Sequence, residues 1–294
     1  MDASILIVTK NRKDDLAFTL HRLAQIIDKD FHEILVFMDG CTDGTEALEL
    51  EFPWVYWQRS KESLGASRAR HILYKSARGH VLFGFDDDAH PLQHDFIDRA
   101  RHIFESDDTI GIIAFKEVRG IYKDDKEALD SITNKGTSYF CNMFVGCGFA
   151  ILKSVYLATN GFPNWMDIYG EEDCVSIEVL ANAHRILFTT DIAVNHRIDS
   201  NERMQKGRHY YRFEKQLTNE TAFFLVYYPN PIKALLRLYW NNFKTYAIKD
   251  TRYFYIYIKV ILVSFVRVFR ILKFRNPVSG AIIKIRRQLK IPGI

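Results

Sequence analysis

Proline and glycine are scarce, 7 and 15 of 294 residues, which excludes collagen-like and low-complexity chains. Four cysteines, Cys41, Cys141, Cys147 and Cys174, form no C-x-x-C pair and have no histidine at zinc-finger spacing. Neither a disulfide scaffold nor a structural zinc site is therefore expected, and the thiols are read as reduced. The start, Met1-Asp2-Ala3-Ser4, has an acid where a secretory leader would be basic, and only four apolar residues, Ile5 to Val8, follow. The chain is accordingly expected to be cytoplasmic. No charge-free run approaches the ~20 residues of a membrane span. No G-x-G-x-x-G follows the first apolar run, which removes a dinucleotide-dependent oxidoreductase. No internal repeat of about 20–50 residues is visible.

What is present is a core-forming composition, 48% hydrophobic and 26% charged. The length fits one large domain or one domain with an appendage. Charge is divided unevenly: residues 1–229 hold 26 Lys+Arg against 35 Asp+Glu, and residues 230–294 hold 14 against the single acid Asp250. A mildly acidic body thus carries a strongly basic tail, suited to an anionic surface, either nucleic acid or lipid.

The first 120 residues alternate buried runs with amphipathic stretches. Ser4–Thr9, His32–Met38, Val55–Gln58 and His80–Phe85 read as strands. Leu16, Leu20, Leu23, Ile26 and Ile27 fall at helical spacing, as do Ala69, Ile72, Leu73 and Ala77. That rhythm predicts an α/β fold with a parallel sheet and right-handed crossovers. Further on come a strand at Ile110–Phe115, a polar stretch 120–136, an apolar run Val145–Leu152, a helix after Glu171-Glu172-Asp173 and a strand near Ile186–Phe188. From about Asn201 the pattern is helical and aromatic.

In an open parallel sheet, ligands bind beyond the carboxyl ends of the strands. Three polar sets fall there: Thr9-Lys10-Asn11-Arg12, Asp39-Gly40-Cys41-Thr42-Asp43, and Asp86-Asp87-Asp88. Crowded carboxylates call for a cation or raised pKa values, and Mg²⁺ or Mn²⁺ binds through one or two carboxylates plus phosphates. On an extended exit, Asp86 and Asp88 point one way and Asp87 another. A solvated acidic turn before the helix starting near Asp95 is the structural alternative. Asp43 reads as a turn and helix cap. Ser63-Leu64-Gly65-Ala66-Ser67-Arg68-Ala69-Arg70 opens a helix whose N-terminus favours anions, with two arginines for phosphate.

The ordered segments ILIVTKNR, FMDGCTDGT, SLGASRAR and FGFDDDAHP together resemble a family 2 glycosyltransferase of the GT-A fold. Asn160-Gly161-Phe162, Gly170-Glu171-Glu172-Asp173 and Asn195-His196 extend the resemblance to about residue 200. The stretch with Tyr210-Tyr211-Arg212 and Tyr227-Tyr228-Pro229 resembles the helical extension of bacterial cell-surface-glycan members. The resemblance implies a Rossmann-like, mostly parallel central sheet with flanking helices, plus a C-terminal basic amphipathic extension. It divides the chain into a nucleotide-sugar half (1–105), an acceptor half (106–200) and the extension (201–294).

It also implies roles. Thr9, Asn11, Arg12, Asp39, Gly65, Arg70, Asp86 and Asp87 would bind the nucleotide-sugar, Asp39 by pairing with the base. Asp86 and Asp88, with His196, would hold Mn²⁺ or Mg²⁺. His71 stands where the family has the Asn of A-R-N, and Glu178 where it has an Arg. The base that deprotonates the acceptor hydroxyl is Asp173 if the Glu-Asp motif is read directly, and Glu172 if the register is counted back from the following helix. Direct attack by one activated hydroxyl inverts the anomeric centre. The default donor is a UDP-sugar, and the acceptor a glycan or lipid-linked glycan in polysaccharide biosynthesis at the cell envelope.

Two rival classes fit part of the pattern. A metal-dependent phosphohydrolase or nucleotidyltransferase uses the aspartates but leaves Asp39 and Glu171-Glu172-Asp173 without a role. A binding protein led by the tail would not need the aspartates. Within Thr251–Arg275, Arg252, Lys259, Arg267, Arg270 and Lys273 form a stripe beside a broad apolar face, as in a helix lying in an anionic membrane interface. Ala281–Lys290 repeats this in short form. The expected place is the inner face of a bacterial plasma membrane, peripherally bound; nucleic acid is not expected, because the interleaved residues are bulky aliphatics.

Overall fold

A computed structural model describes residues 1–198 and 209–293. The fold is mixed α/β around one nine-stranded sheet. The strands are β1 (Ala3–Thr9), β2 (His32–Asp39), β3 (Tyr56–Ser60), β4 (Val81–Asp86), β5 (Ala89–Pro91), β6 (Ile110–Arg119), β7 (Ser138–Cys141), β8 (Gly148–Leu152) and β9 (Arg185–His196). Their order is β3-β2-β1-β4-β8-β6-β9-β5, with β7 also paired to β9. The first four strands are parallel. β8 runs antiparallel to both β4 and β6, and β6 and β9 are again parallel.

Alternation along the strands builds two cores, one on each face. Ile5 and Ile7 of β1, with Phe83 and Phe85 of β4, meet Leu16, Leu20 and Leu23 of the helix Lys13–Ala24 and Phe96 of the helix Phe96–Ser106. Leu6, Leu35 and Leu82 point the other way, onto Leu73 and Tyr74 of the helix Ala66–Ser76 and Val175 and Val179 of the helix Glu171–Ala181. Gly84 is required between them: a Cβ there would lie 2.2 Å from both Phe149 Cε1 and Tyr74 Oη.

Several elements differ from the sequence expectation. β3 is shifted to Tyr56–Ser60, since as an edge strand it leaves Tyr56 exposed and carries little apolar signal. The polar stretch holds a short helix, Asp125–Asp130, whose cap Asp124 accepts from Glu127 N at 2.9 Å. β6 and β9 run much longer than their apolar runs, because a register irregularity at Phe115/Lys116 breaks the alternation before pairing resumes through Arg119↔His196. Asp43 holds its own turn as expected, accepting from Thr45 N at 3.2 Å, and in addition caps the first helix, accepting from Lys13 N at 3.0 Å.

The boundary expected at 200–201, and the onset of helical pattern near Asn201, lie outside the described residues. Beyond it are helices Tyr210–Tyr227, Ile232–Thr245, Thr251–Leu272 and Gly280–Gln288. The third starts at Asp250, which accepts from Tyr253 N at 2.9 Å, and packs Ile256, Tyr257 and Val260 on Phe213 and Leu217. Among the described residues no helix is long and apolar enough to cross a membrane. One side of the short basic repeat Ala281–Lys290 packs on the body, while Lys284, Ile285 and Arg287 stay exposed. Its Ile283 packs near Cys174, Ile177 and Phe223, and Lys290 O accepts from Asn142 N at 3.0 Å.

Candidate active site

The order β3-β2-β1-β4 opens a crevice at the carboxyl ends of these strands. The site is a cleft of about 1210 Å³ lined by Thr9, Arg12, Asp39, Gly65, Arg70, the three aspartates, Glu171 to Asp173 and His196. Asn11 is absent from that lining. It stands in a left-handed conformation (φ 54°) and accepts from Thr42 N at 2.7 Å, tying two loops together. Asp39 is buried, and it accepts from Leu64 N at 2.6 Å, Gly65 N at 3.0 Å and Ser63 Oγ at 2.6 Å. Its carboxylate therefore shapes the loop at this end of the cleft. Gly65 (φ +90°) fits only without a side chain, since a Cβ would come within 2.7 Å of Asp167 Cβ.

The three aspartates are buried unequally. Asp86 accepts from Arg70 Nη2 at 2.8 Å. Asp87 accepts from Thr9 Oγ1 at 2.8 Å and faces Arg12 Nη1 at 3.1 Å. Asp88 pairs with Arg12 Nη2 at 2.8 Å and lies 3.2 Å from His196 Nε2. Burial, partly offset by Arg12 and Thr9, pushes Asp87 up to about 7. Asp88 is also buried, yet His196 and Arg12 hold it down to about 2. Burial would lower His196, but Asp88 and Glu117, whose Oε1 lies 2.5 Å from its Nδ1, raise it to about 9. Asp87 and Asp88 are not a solvated turn: they are 5% and 4% exposed.

Ligand atoms of Asp86, Asp88 and His196 lie within 4.8 Å of one another, and Asp88 Oδ1 is buried without a hydrogen-bond partner. That oxygen's one neighbour is His196 Nε2 at 3.2 Å, itself a ligand atom of the set. Two carboxylates and an imidazole whose far nitrogen is held by a carboxylate suit Mn²⁺, and less well the oxygen-preferring Mg²⁺. The residues fit. A second grouping, Glu117, Cys147 and His196, is a poor one, because burial pushes the Cys147 thiol far up and withholds the thiolate.

Across the cleft, Arg70 is 8% exposed and joins both sides. Besides Asp86, it donates from Nη1 to Glu171 Oε1 at 3.0 Å and Glu172 Oε1 at 3.1 Å. Gly146 leaves room for this, since a Cβ would lie 2.3 Å from Glu172 Oε1. Burial pushes both Glu171 and Glu172 up, against Arg70. Asp173 is turned from this cluster and ion-pairs with Arg286 of the last helix. Glu178, where the resemblance expected an arginine, is an internal anchor: it accepts from Asn160 N at 2.6 Å and Tyr227 Oη at 2.6 Å.

Sequence reasoning did not single out Glu117, Arg197 or Arg286. Arg197 fixes the aspartate turn, donating from Nη2 to Asp15 O at 2.9 Å, Thr19 Oγ1 at 2.8 Å and Asp87 O at 3.3 Å, while its N–H donates to Asp88 O at 2.9 Å. Its position directly after Asn195-His196 was the available signal. Glu117 and Arg286 left none, since their partners are 79 and 113 residues away.

The sequence model described as "Glycosyl transferase family 2" matches residues 4–155. An uncharacterized glycosyltransferase, YfnE, of Bacillus subtilis is 34% identical over 93 residues, 30% of this chain and 23% of that protein. The chain thus spans about a quarter of that relative's length. Among solved structures, S. aureus TarS 1-349 in complex with UDP-GlcNAc superposes with a TM-score of 0.62 at 14% identity, covering 93% of this chain and 84% of that one. The mannosyltransferase PcManGT from Pyrobaculum calidifontis, in complex with GDP-Man and Mn²⁺, gives 0.57 at 14% identity over 97% and 78%. At such identities these likenesses establish the fold.

Proposed function

The chain belongs to glycosyl transferase family 2, and on that premise we propose that it is an inverting glycosyltransferase. It moves a sugar from a nucleotide-sugar, by default a UDP-sugar, to a hydroxyl of a glycan or lipid-linked glycan. The observation that carries this reading is the arrangement around Arg70. One guanidinium bridges the end of β4, where Asp86, Asp88 and His196 converge, and the helix start bearing Glu171, Glu172 and Asp173. A phosphohydrolase needs only the first half of that arrangement.

The chemistry follows from where charge develops. The anomeric C–O bond to the diphosphate breaks while the acceptor oxygen bonds to the opposite face of the same carbon. The hydroxyl proton passes to the Asp173 carboxylate, with Glu172, held by Arg70, the other candidate. Negative charge grows on the leaving diphosphate, where Arg70 and Arg12 supply positive charge in a part-buried setting. A divalent cation held by Asp86, Asp88 and His196 would add Lewis-acid stabilisation of that diphosphate. Asp39 and the loop it fixes receive the base, Thr9 and Gly65 frame the nucleoside, and Asn11 acts from outside the lining by holding the loop at Thr42. The acceptor belongs to envelope polysaccharide synthesis at an anionic membrane surface, the inner face of the plasma membrane, reached through residues 230–294.

The test is a panel of nucleotide-sugars with Mn²⁺, scored by thermal shift and then by product. A bound donor raises apparent stability by mass action. Transfer releases nucleoside diphosphate; release of the monophosphate from a UDP-sugar would overturn the reading in favour of phosphohydrolysis.

A further inference from the structure

The helix Thr251–Leu272 has two faces with different surroundings. Val260, Val263, Ser264, Arg267 and Ile271 line the cleft, and at ~100° per residue they fall within about 60° of one line along the helix. On the opposite side stand Tyr255, Leu262, Phe265, Val266 and Phe269, exposed by 69%, 61%, 73%, 83% and 79%. Arg252, Arg270 and Lys273 form a stripe along one edge of that apolar face, while Lys259 lines the cleft and pairs with Glu214 at 2.7 Å. A single helix is therefore both the wall of the cleft and the carrier of a bare apolar surface.

Monomeric proteins do not ordinarily leave such a patch uncovered, and the charge pattern selects its occupant. Residues 230–294 hold 14 Lys+Arg against one acid. A two-fold contact with a second copy brings the same patch against itself, setting two basic stripes side by side. An anionic bilayer supplies an apolar interior for the phenylalanines and opposite charge for the stripe. The helix Ile232–Thr245 repeats the pattern: Ile232, Leu236 and Trp240 are exposed, with Lys233, Arg237 and Lys244 along one side.

We propose that the helix Thr251–Leu272 lies in the headgroup layer of an anionic bilayer with its other face walling the cleft, so that the acceptor is a membrane-anchored glycan rather than a free soluble one. This deepens the glycosyl-transfer reading and rests on it. A helix with its side chains is about 10–12 Å across and an interfacial one sinks by about 5–10 Å, which brings the cleft wall close to headgroup level. Arg267, on the cleft line itself, is exposed and in no ion pair among the described residues. It is placed to meet an anionic group at the lipid end of such an acceptor.

The test uses the full chain. In flotation at ~0.15 M salt, it binds vesicles of phosphatidylcholine with about one third phosphatidylglycerol and not phosphatidylcholine alone. The double variant F265S/F269S weakens that binding by at least tenfold, while its stabilisation by UDP-sugar and Mn²⁺ is unchanged. S264W, on the cleft side, floats as the parent does but no longer transfers labelled sugar into organic-extractable material of total source-cell membranes. Three results would overturn the proposal: no flotation of the full chain, flotation unchanged in F265S/F269S, or labelled sugar going equally well to membrane-free soluble glycan. A wild-type dimer that F265S/F269S splits, with no flotation, assigns the face to a second copy. A chain that floats but is stabilised by no nucleotide-sugar fails the transferase reading instead, so the two failures are distinct.

Discussion

The two sides of the cleft hold their carboxylates in different ways. On the side of β1, β2 and β4, Asp39 and Asp87 are fixed mainly by loops of the same parallel half, Asp39 by residues 63–65 and Asp87 by Thr9 and Arg12, while Asp88 also leans on His196 and Arg197 from the end of β9. On the acceptor side, Glu171 and Glu172 depend on Arg70, 101 and 102 residues earlier, and Asp173 on Arg286, 113 residues later. The first set rests largely on loops of one parallel half, with support from β9; the second draws on segments more than 100 residues away on either side.

The sharpest test of the donor side is Asp88→Asn. The substitution removes one charge from the Asp86, Asp88 and His196 set while keeping its shape, so the fold should persist. Transfer is expected to fall by about 10³-fold or more, and Mn²⁺-dependent nucleotide binding by calorimetry should vanish. Full activity of the variant in EDTA would remove the metal from the account.

On the acceptor side, Asp173→Asn should lower turnover by about 10²–10⁴-fold and leave donor affinity intact. Glu172→Gln should instead weaken donor binding, because Glu172 shares Arg70 with Asp86. An active Asp173→Asn beside a dead Glu172→Gln with normal donor affinity makes Glu172 the base. Arg286 gives a smaller effect. It orients Asp173 without reaching the reacting atoms, so Arg286→Met should cost kcat about 10-fold, in line with the sensitivity of catalysis to small misplacements. Donor KM should hold, and Arg286→Lys should recover part of the loss. Equal losses for Met and Lys with a lower melting temperature would make the contact purely structural.

The same contrast explains what the sequence disclosed. β1, β2 and β4 each combine an apolar run with a polar exit, so the convergence of Thr9, Arg12, Asp39 and the aspartates is legible in the sequence. Glu117 could not, because β6 passes Phe115 through a register irregularity and then continues with Lys116 and Glu117, where no apolar alternation marks a strand. Glu178 was read as a departure from an arginine; its partners Asn160 and Tyr227 come from two distant segments. The basic tail was legible in composition, but not its division into an exposed apolar face at Thr251–Leu272 and a helix at Gly280–Gln288 that packs one side on the body. That depends on Ile283 finding Cys174 and Ile177.

The smallest effect concerns pH and the metal-free donor side. His196 is raised from 6.5 to about 9 by its carboxylate partners. A group whose folded pKa lies above its unfolded value adds stability below the unfolded pKa and loses it as pH rises through the folded one. In EDTA, the imidazolium contribution is therefore full below about pH 6.5 and gone above about pH 9. The neighbours do not mimic this. Glu117 and Asp88, lowered from 4.5 and 3.8 to about 2, change only toward acid pH. Asp87, raised from 3.8 to about 7, exerts its influence between those two values. The melting temperature of metal-free protein should thus decline by a few degrees between about pH 7 and 9.5, and His196→Gln should flatten the decline over that window. If the slope persists in His196→Gln, the imidazole is not protonated between Asp88 and Glu117 as drawn, and the donor side loses its argument for a preassembled, charge-balanced ligand set.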